Sequence, residues 1–145
     1  MLVNQILAMK QSGAIFTVAP EASVADAARL LSEKRIGAIV VSEDGKVPLG
    51  ILSERDIVRE LGRRGAAVLD LPISELMTRK LATCTTGEDA LAILERMTEG
   101  RFRHLPVVDE NGHMLGIVSI GDAVSGRLKE LHAEKEALTG MIMGN

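Results

Sequence analysis

Aromatic residues are nearly absent from this sequence. It contains no tryptophan and no tyrosine, and only Phe16 and Phe102 carry an aromatic ring among its 145 residues. Proteins that hold single-stranded nucleic acid stack bases on aromatic side chains. The net charge of −3 also has the wrong sign for binding a phosphate backbone. We therefore expect no nucleic acid partner.

Cysteine and long apolar runs are scarce as well. The single Cys84 excludes an internal disulfide and suits a reducing compartment. No apolar run approaches the roughly 20 residues that a membrane-spanning helix needs. Lys10 is the single basic residue before Arg29, and the N-terminal stretch does not have the layout of a signal peptide. These features predict a cytoplasmic protein that does not enter a membrane.

Metal and nucleophile signatures are also missing. Cys84, His104, His113 and His132 do not have the spacing of a zinc site. The serine, histidine and aspartate residues do not form a recognisable nucleophile motif. We therefore predict no metal site, no catalytic residues and no catalytic cofactor, so that the protein is not an enzyme.

What the sequence does contain is an internal repeat. The stretch LGILSERDIV at 49–58 returns 66 residues later as LGIVSIGDAV at 115–124. We call this separation of 66 residues the repeat offset. The same offset aligns two apolar sets with the i, i+3, i+4, i+7 spacing of a helix that buries one face. These sets are Val24, Ala27, Ala28 and Leu31 in the first copy, and Ala90, Ile93, Leu94 and Met97 in the second. One supersecondary unit is therefore used twice.

Each copy predicts the element order β-α-β-β-α. The strands are expected at 14–18, 36–42 and 47–53, and again at 81–85, 102–108 and 113–119. Helices over 24–35 and 90–100 follow Ser23 and Asp89, which are favoured N-cap types. Turns with Asp44-Gly45 and Asn111-Gly112 join the second and third strands as hairpins. Neither copy is long enough to bury a good core alone, so the two are expected to pack together.

The boundary between the copies is expected near residue 70. Residues 1–70 would form the first copy with its linker, and residues 71–145 the second copy with a long C-terminal helix. The linker is predicted at 62–72, which holds two glycines and a proline. A short helix at 73–78 would echo residues 4–9, four residues out of register, which indicates an insertion within 10–13.

The last helix is predicted to run past the repeat to about residue 139, with a stop at Gly140. Its apolar stripe continues where the chain has no further element to cover it, which predicts a homodimer interface. The stripe consists of Val124, Leu128, Leu131, Leu138 and Ile142.

The repeated stretch contains Ser53 and Asp56 in the first copy, and Ser119 and Asp122 at the equivalent positions of the second. Two interpretations of this serine and aspartate are open. A serine followed three residues later by a carboxylate is a capping box. A strand that ends at a helix N-terminus also presents backbone N–H groups and a hydroxyl to a phosphate. The carboxylate could accept hydrogen bonds from both hydroxyls of a ribose. Capping does not explain Gly50 and Gly116, which lie three residues before the serines. A glycine at this position would let a ligand or a neighbouring backbone approach closely.

The ordered elements together with G-[IV]-x-S-x-x-D resemble the CBS domain, named after cystathionine β-synthase. The first copy matches through TVAPEASVADAARLLSEKRIGAIVV and GILSERDIV, and the second through TCTTGEDALAILERMTEGRFRHLPVVDENG and GIVSIGDAV. The resemblance implies an α+β fold of two tandem β-α-β-β-α repeats with pseudo-two-fold symmetry, extended here by the C-terminal helix. It also implies adenosine ligands in clefts between the repeats, and association of such pairs into a disk.

The resemblance implies roles for individual residues. Asp56 and Asp122 would hold ribose, while the two motif serines would contact phosphate and the strand near the start of each repeat would meet adenine. Arg103-His104 would bind phosphate, where the first copy has Gly37-Ala38. The opposite interpretation makes Arg103 a solvated rim residue and His104 a half-buried strand residue. It also places Arg55, with Arg59, Arg63 and Arg64, on a solvated helix face. Arg35, Arg55 and Arg101 could compensate where the basic pair is missing. The candidate set is Thr17, Val18, Pro20, Gly37, Ala38, Ser53, Arg55, Asp56, Thr83, Cys84, Arg103, His104, Pro106, Ser119 and Asp122.

These observations predict a regulatory sensor module that binds AMP, ADP or ATP and acts on a separate, unidentified protein. NAD(H) is the nearest alternative, because it contains the same adenosine. S-adenosylmethionine comes third, because it lacks the phosphate that would employ Arg103. The rivals from other classes are a structural or partner-binding module with empty clefts, and an enzyme that acts on a nucleotide.

Overall fold

A computed structural model describes residues 1–10 and 15–143. The predicted α+β architecture of two tandem units with a long C-terminal helix is confirmed. In chain order the elements are α1 (Val3–Met9), β1 (Thr17–Val18), α2 (Val24–Lys34), β2 (Ala38–Val41), β3 (Gly50–Ser53), α3 (Glu54–Arg64), 3₁₀ helices at Ala66–Asp70 and Ile73–Glu75, α4 (Ala90–Gly100), β4 (His104–Val108), β5 (Met114–Ser119) and α5 (Ile120–Ile142). The insertion expected within 10–13 falls mostly outside the described residues.

Each copy contains the predicted antiparallel hairpin. β2 pairs with β3 in the first copy, and β4 pairs with β5 in the second. β1 adds a parallel strand to the first hairpin through the pairs Thr17–Val40 and Val18–Val41. The hairpins are thus confirmed, although the strands are shorter than the sequence predicts.

The strand expected at 81–85 is wrong in extent. It is reduced to one parallel bridge between Cys84 and Val107, which is the equivalent of the Val18–Val41 pair. Side chains take the neighbouring backbone groups: the Thr83 carbonyl accepts a hydrogen bond from Arg96 at 2.8 Å. On the other side the Thr85 N–H donates to the Glu88 carboxylate at 2.7 Å. These backbone groups are therefore not available to extend the ladder.

Two cores form, and each is completed by a segment that lies outside the repeated unit. Helix α1 crosses to the second copy, where Val3 and Ile6 are fully buried with Leu105 and Val118. The segment 66–77 closes the first core.

Two isolated bridges, Leu2–Asp89 and Ser23–Pro72, place these two segments in equivalent positions. Asp89 is the equivalent of Ser23 at the repeat offset, whereas Pro72 lies four positions beyond Val68, the equivalent of Leu2. The bridges thus confirm the four-residue shift of register between the segments.

The linker predicted at 62–72 is not a spacer. Helix α3 continues to Arg64, and the next turn is a 3₁₀ helix whose Val68 is 1% exposed. The apolar residues of this stretch cover the first core, so the chain stays packed against that core here. Glycine and proline mark the ends of the elements rather than a flexible connection.

Helix starts and ends depart from two predictions. Ser23 caps α2 as expected, since its Oγ accepts the Asp26 N–H at 3.1 Å. Asp89 stands at the N-cap of α4 but makes no capping hydrogen bond, because its carboxylate lies 3.3 Å from the Met1 amino group. Helix α5 passes through Gly140 and ends at Ile142, so the predicted stop is wrong.

The motif glycines are explained by close packing of the segments that complete the cores. A Cβ on Gly50 would lie 2.8 Å from the Met77 sulfur and 2.9 Å from the Thr78 carbonyl oxygen. A Cβ on Gly116 would lie 2.9 Å from a methyl group of Leu7. Leu7 and Met77 are themselves equivalent, since they follow the same shifted register between the two segments. Of the two approaches left open by the sequence, that of a neighbouring backbone is confirmed at Gly50, whereas Gly116 meets a neighbouring side chain.

This packing makes Gly50→Ala destabilising by about 1 to 3 kcal/mol, because overpacking against a backbone atom forces the core apart. Gly116→Ala should cost less, since it meets only the end of a flexible leucine. Gly87→Ala is the control, because nothing lies within 4 Å of a Cβ there. Urea unfolding measures all three, and equal stability of the Gly50 and Gly87 variants would contradict the packing account.

Candidate functional site

Both motif serines cap helices in the way the sequence predicts. The Ser53 Oγ accepts the Asp56 N–H at 3.1 Å, and the Ser53 N–H donates to Asp56 Oδ2 at 3.0 Å. Ser119 and Asp122 repeat this geometry at 3.1 and 2.9 Å. The capping box is thus confirmed in both copies. It also fixes the position of each carboxylate at the start of its helix.

Two clefts lie between the repeats, and each takes its motif from one copy and its wall from the other. The first cleft encloses about 410 Å³ and joins Ser119 and Asp122 to residues 35–38 of the first copy. The second encloses about 450 Å³ and joins Ser53 and Asp56 to residues 101–104 of the second copy. The two clefts are therefore related by the pseudo-two-fold axis of the repeats.

The wall between the clefts consists of Gly37, Ala38 and His104, which line both. A Cβ placed on Gly37 would lie 3.4 Å from the imidazole ring of His104. A larger residue at position 37 would thus press on the imidazole. The small residues of the first copy leave room for this one ring.

The first cleft holds an ionised carboxylate. Burial by itself would raise the pKa of Asp122, but the Ser119 N–H and the Lys10 ammonium outweigh it and hold the pKa below its usual value. Lys10 Nζ lies 2.9 Å from Asp122 Oδ2 and donates to the Ile117 carbonyl at 2.8 Å. Asp122 is therefore an acceptor at neutral pH, as a ribose site requires.

The carboxylate of the second cleft is engaged through both oxygens. Asp56 Oδ2 accepts the Ser53 N–H, and Arg59 Nη2 lies 3.0 Å from Oδ1. In the first cleft both polar contacts fall on Oδ2 of the aspartate. A ligand hydroxyl in the second cleft would therefore have to share Asp56 with Arg59 or displace it.

His104 is uncharged near neutral pH. Burial lowers the pKa of its imidazole, and Lys10 and Arg103 lower it further. Asp122 and Glu54 act in the opposite direction but do not compensate for burial. The prediction of a basic His104 thus needs a bound anion, because the clefts by themselves leave the ring neutral.

Nine of the candidate residues line the two clefts. They are Gly37, Ala38, Ser53, Arg55, Asp56, Arg103, His104, Ser119 and Asp122. The sequence brought them together through the repeat offset and the resemblance. The structure places these residues around the two clefts, and their roles toward a ligand stay a prediction.

The other six candidates line neither cleft. Thr17 and Val18 pair with β2 in the sheet. The Pro20 carbonyl accepts a hydrogen bond from the Ser74 N–H, and the Thr83 carbonyl accepts one from the Arg96 guanidinium. Cys84 is 1% exposed, and burial raises the pKa of its thiol to about 12. Pro106 is buried in β4 beside it. The candidates for the adenine side therefore lie outside the linings of both clefts.

The residues that line the first cleft instead are Ile15 and Phe16, just before β1. Sequence reasoning also missed Lys10. Its position in the cleft depends on the crossing of α1 to the second copy, which no local pattern predicts. The second cleft adds Glu54, Arg59, Thr78 and Arg101. Of these, Arg101 is expected from the sequence as a compensating cation, and it is the equivalent of Arg35 at the repeat offset.

Within the described residues, no helix is long and apolar enough to cross a membrane. Over the same ranges, no three histidine, cysteine, aspartate or glutamate side chains cluster so that they could hold a metal ion.

The same fold occurs in solved structures, three of which bear on the site. A CBS-domain-containing protein from Agrobacterium tumefaciens is 40% identical with a TM-score of 0.82, over 88% of this chain and 99% of that one. A CBS domain protein from Pyrobaculum aerophilum, complexed with AMP, is 25% identical with a TM-score of 0.72, over 84% and 89%. A CBS domain pair in complex with 5′-methylthioadenosine and S-adenosyl-L-methionine is 25% identical with a TM-score of 0.74, over 93% and 98%.

The sequence profile of the CBS domain matches this chain twice, over residues 6–63 and 73–128. The chain spans between 22% and 61% of the length of the Arabidopsis thaliana CBS-domain proteins that it matches. The two matches coincide with the two copies found by the repeat offset. This chain therefore belongs to the CBS domain family and forms a tandem pair.

Proposed function

We propose that this pair is a regulatory module that binds adenosine-containing ligands, with AMP, ADP or ATP as the ligand class. The observation that carries the proposal is the composition of each cleft. A carboxylate that can hold ribose comes from one repeat, and a wall of backbone and side chains comes from the other. A bound ligand would touch both repeats, so that its binding free energy depends on how they are placed.

The similar structures support this ligand class. One contains AMP, and another contains 5′-methylthioadenosine and S-adenosyl-L-methionine. Adenosine is common to all three ligands, and ribose is the part that the motif aspartates are suited to hold. NAD(H) shares the same adenosine and is the nearest alternative.

The arginines of the second cleft favour a ligand with phosphate. Arg55, Arg59, Arg101 and Arg103 line it, and guanidinium groups bind phosphate oxygens in a bidentate manner. S-adenosylmethionine carries no phosphate for these arginines, and its one carboxylate could not engage them all.

The module is proposed to act without catalysis, in the cytoplasm, on a separate protein. CBS-domain pairs are generally regulatory rather than catalytic, which supports the first part of this proposal. An empty structural module and an enzyme acting on a nucleotide are the competing functions. The first would bind no adenosine ligand, and the second would turn one over.

A homodimer is proposed as the working unit. Val58 on α3 and Val124 on α5 are 68% and 41% exposed, and they occupy equivalent positions of the two repeats. The exposed apolar face thus has the pseudo-symmetry of the pair, which suits it to a second copy across a two-fold axis. Leu128, Leu131 and Leu138 extend this face along the protruding end of α5.

The proposed ligand class predicts a rise in melting temperature with AMP or ATP, because a ligand that binds only the folded state stabilises it. The double variant Asp56→Asn, Asp122→Asn should lose this rise, since both ribose acceptors are weakened. Asp26→Asn is the matched control, because Asp26 also follows a serine N-cap by three residues but lies outside both clefts. A thermal shift assay measures all three proteins.

No shift for the wild type at millimolar nucleotide would favour the empty structural module. Conversion of the nucleotide during incubation, followed by chromatography, would favour the enzyme.

His104 predicts proton uptake when a phosphate-bearing nucleotide binds. Its pKa is lowered by burial between the repeats, so the ring is neutral at pH 7, and a phosphate beside it would raise that pKa. Binding enthalpies of ATP in two buffers of different ionisation enthalpy measure the uptake. The His104→Gln variant should remove it, and the same uptake in that variant would exclude His104 from the phosphate site.

Truncation tests the homodimer. A chain that ends after Lys129 lacks the protruding part of α5, where Leu131 and Leu138 are 42% and 59% exposed. Light scattering should show a dimer for the full chain and a monomer for the shortened one. A full-length monomer at micromolar concentration would contradict the proposal, and an unchanged dimer would move the interface to Val58 and Val124.

A further inference from the structure

The two clefts differ in charge although the repeats are related by pseudo-symmetry. Each cleft has one arginine at an equivalent position, which is Arg35 in the first cleft and Arg101 in the second. Three further arginines of the second cleft have small, uncharged equivalents: Arg55, Arg59 and Arg103 correspond to Gly121, Ser125 and Gly37. The repeat has thus diverged at the positions where a phosphate would be bound.

Three guanidinium groups of the second cleft are open to a ligand. Arg59 is held by Asp56 at 3.0 Å and by Glu60 at 3.6 Å. Among the described residues, no ion pair or side-chain hydrogen bond engages Arg55, Arg101 or Arg103, and all three are exposed. In the same part of the chain, Glu54 is the one carboxylate that lines this cleft besides Asp56. The cleft therefore keeps a positive excess after its internal pair is formed.

The first cleft has little positive charge to offer. Its Lys10 is already paired with Asp122 and with the Ile117 carbonyl, which leaves Arg35 at the rim. The remaining lining is mainly apolar, and burying phosphate charge against apolar side chains is unfavourable. The apolar residues are Ile15, Phe16, Ile36, Val40 and Ile117.

We propose that the two clefts take different members of the adenosine class, an inference that rests on the proposed function. The second cleft takes an adenosine di- or triphosphate, whose phosphates meet Arg55, Arg101 and Arg103. The first cleft takes an uncharged adenosine with an apolar 5′ substituent, which packs against Phe16 and its apolar neighbours while Asp122 holds the ribose. One chain then binds both ligands at once.

Calorimetric titration with ATP and with 5′-methylthioadenosine tests this division. The double variant Arg55→Met, Arg103→Met should weaken ATP binding by about a hundredfold, because each loses a charge-assisted contact. Its affinity for 5′-methylthioadenosine should stay within about twofold of wild type. Arg63→Met is the matched control, since Arg63 is exposed on the same helix but lines neither cleft.

Single aspartate variants assign each ligand to its cleft. Asp56→Asn should weaken ATP about tenfold or more, and Asp122→Asn should do the same for 5′-methylthioadenosine. Titration of ATP into protein saturated with 5′-methylthioadenosine should still show one full binding event. Thermal melts confirm that each variant is folded.

The outcomes separate this inference from the function on which it rests. If the wild type binds neither probe, the proposed function itself fails. If both probes bind but compete, or if both are weakened by the same aspartate variant, the division between clefts is overturned while the proposed function stands. Unchanged ATP affinity in the double arginine variant would also overturn it.

Discussion

The packing of the two segments outside the repeats holds the fold together. Helix α1 crosses from the start of the chain to the second core, and residues 66–77 close the first. Neither core is complete without its segment, so detachment of either segment would expose the apolar surface that it covers. The close contacts at Gly50 and Gly116 show where this packing leaves no space for a side chain.

The same constraint positions the clefts. Because the repeats are held in one arrangement, the helix start of each copy faces the second strand of the other. The capping boxes then serve two purposes: the hydrogen bonds that begin α3 and α5 also fix the carboxylates of Asp56 and Asp122. Capping and ligand binding are therefore compatible uses of one geometry, and the choice between them that the sequence posed is unnecessary.

Much of the fold could be predicted because the repeat offset aligns local signals that depend only on nearby residues. Hairpin turns, the Ser23 cap and the buried face of α2 belong to this group. The crossing of α1 could not be predicted, since it depends on which core its apolar face reaches. The length of the strand at Cys84 was wrong for a related reason: Arg96 and Glu88 compete for the neighbouring backbone, and both lie outside the strand. The candidate site divides in the same way.

The motif residues and the Arg103–His104 pair follow from the repeat, and they line the clefts. Lys10 depends on the crossing helix, and no local pattern marks it. The neutral state of His104 depends on burial between the repeats. Burial makes the charged imidazole less favourable, and the sequence neighbours of His104 do not reveal it.

The clefts are proposed to hold an adenosine ligand that contacts both repeats. X-ray diffraction from crystals of the full chain grown with saturating AMP tests this proposal most directly. Density for ribose is expected within hydrogen-bond distance of Asp56 or Asp122, with the base against the wall supplied by the other repeat. Absence of nucleotide from both clefts, or a nucleotide that contacts one repeat alone, would contradict it.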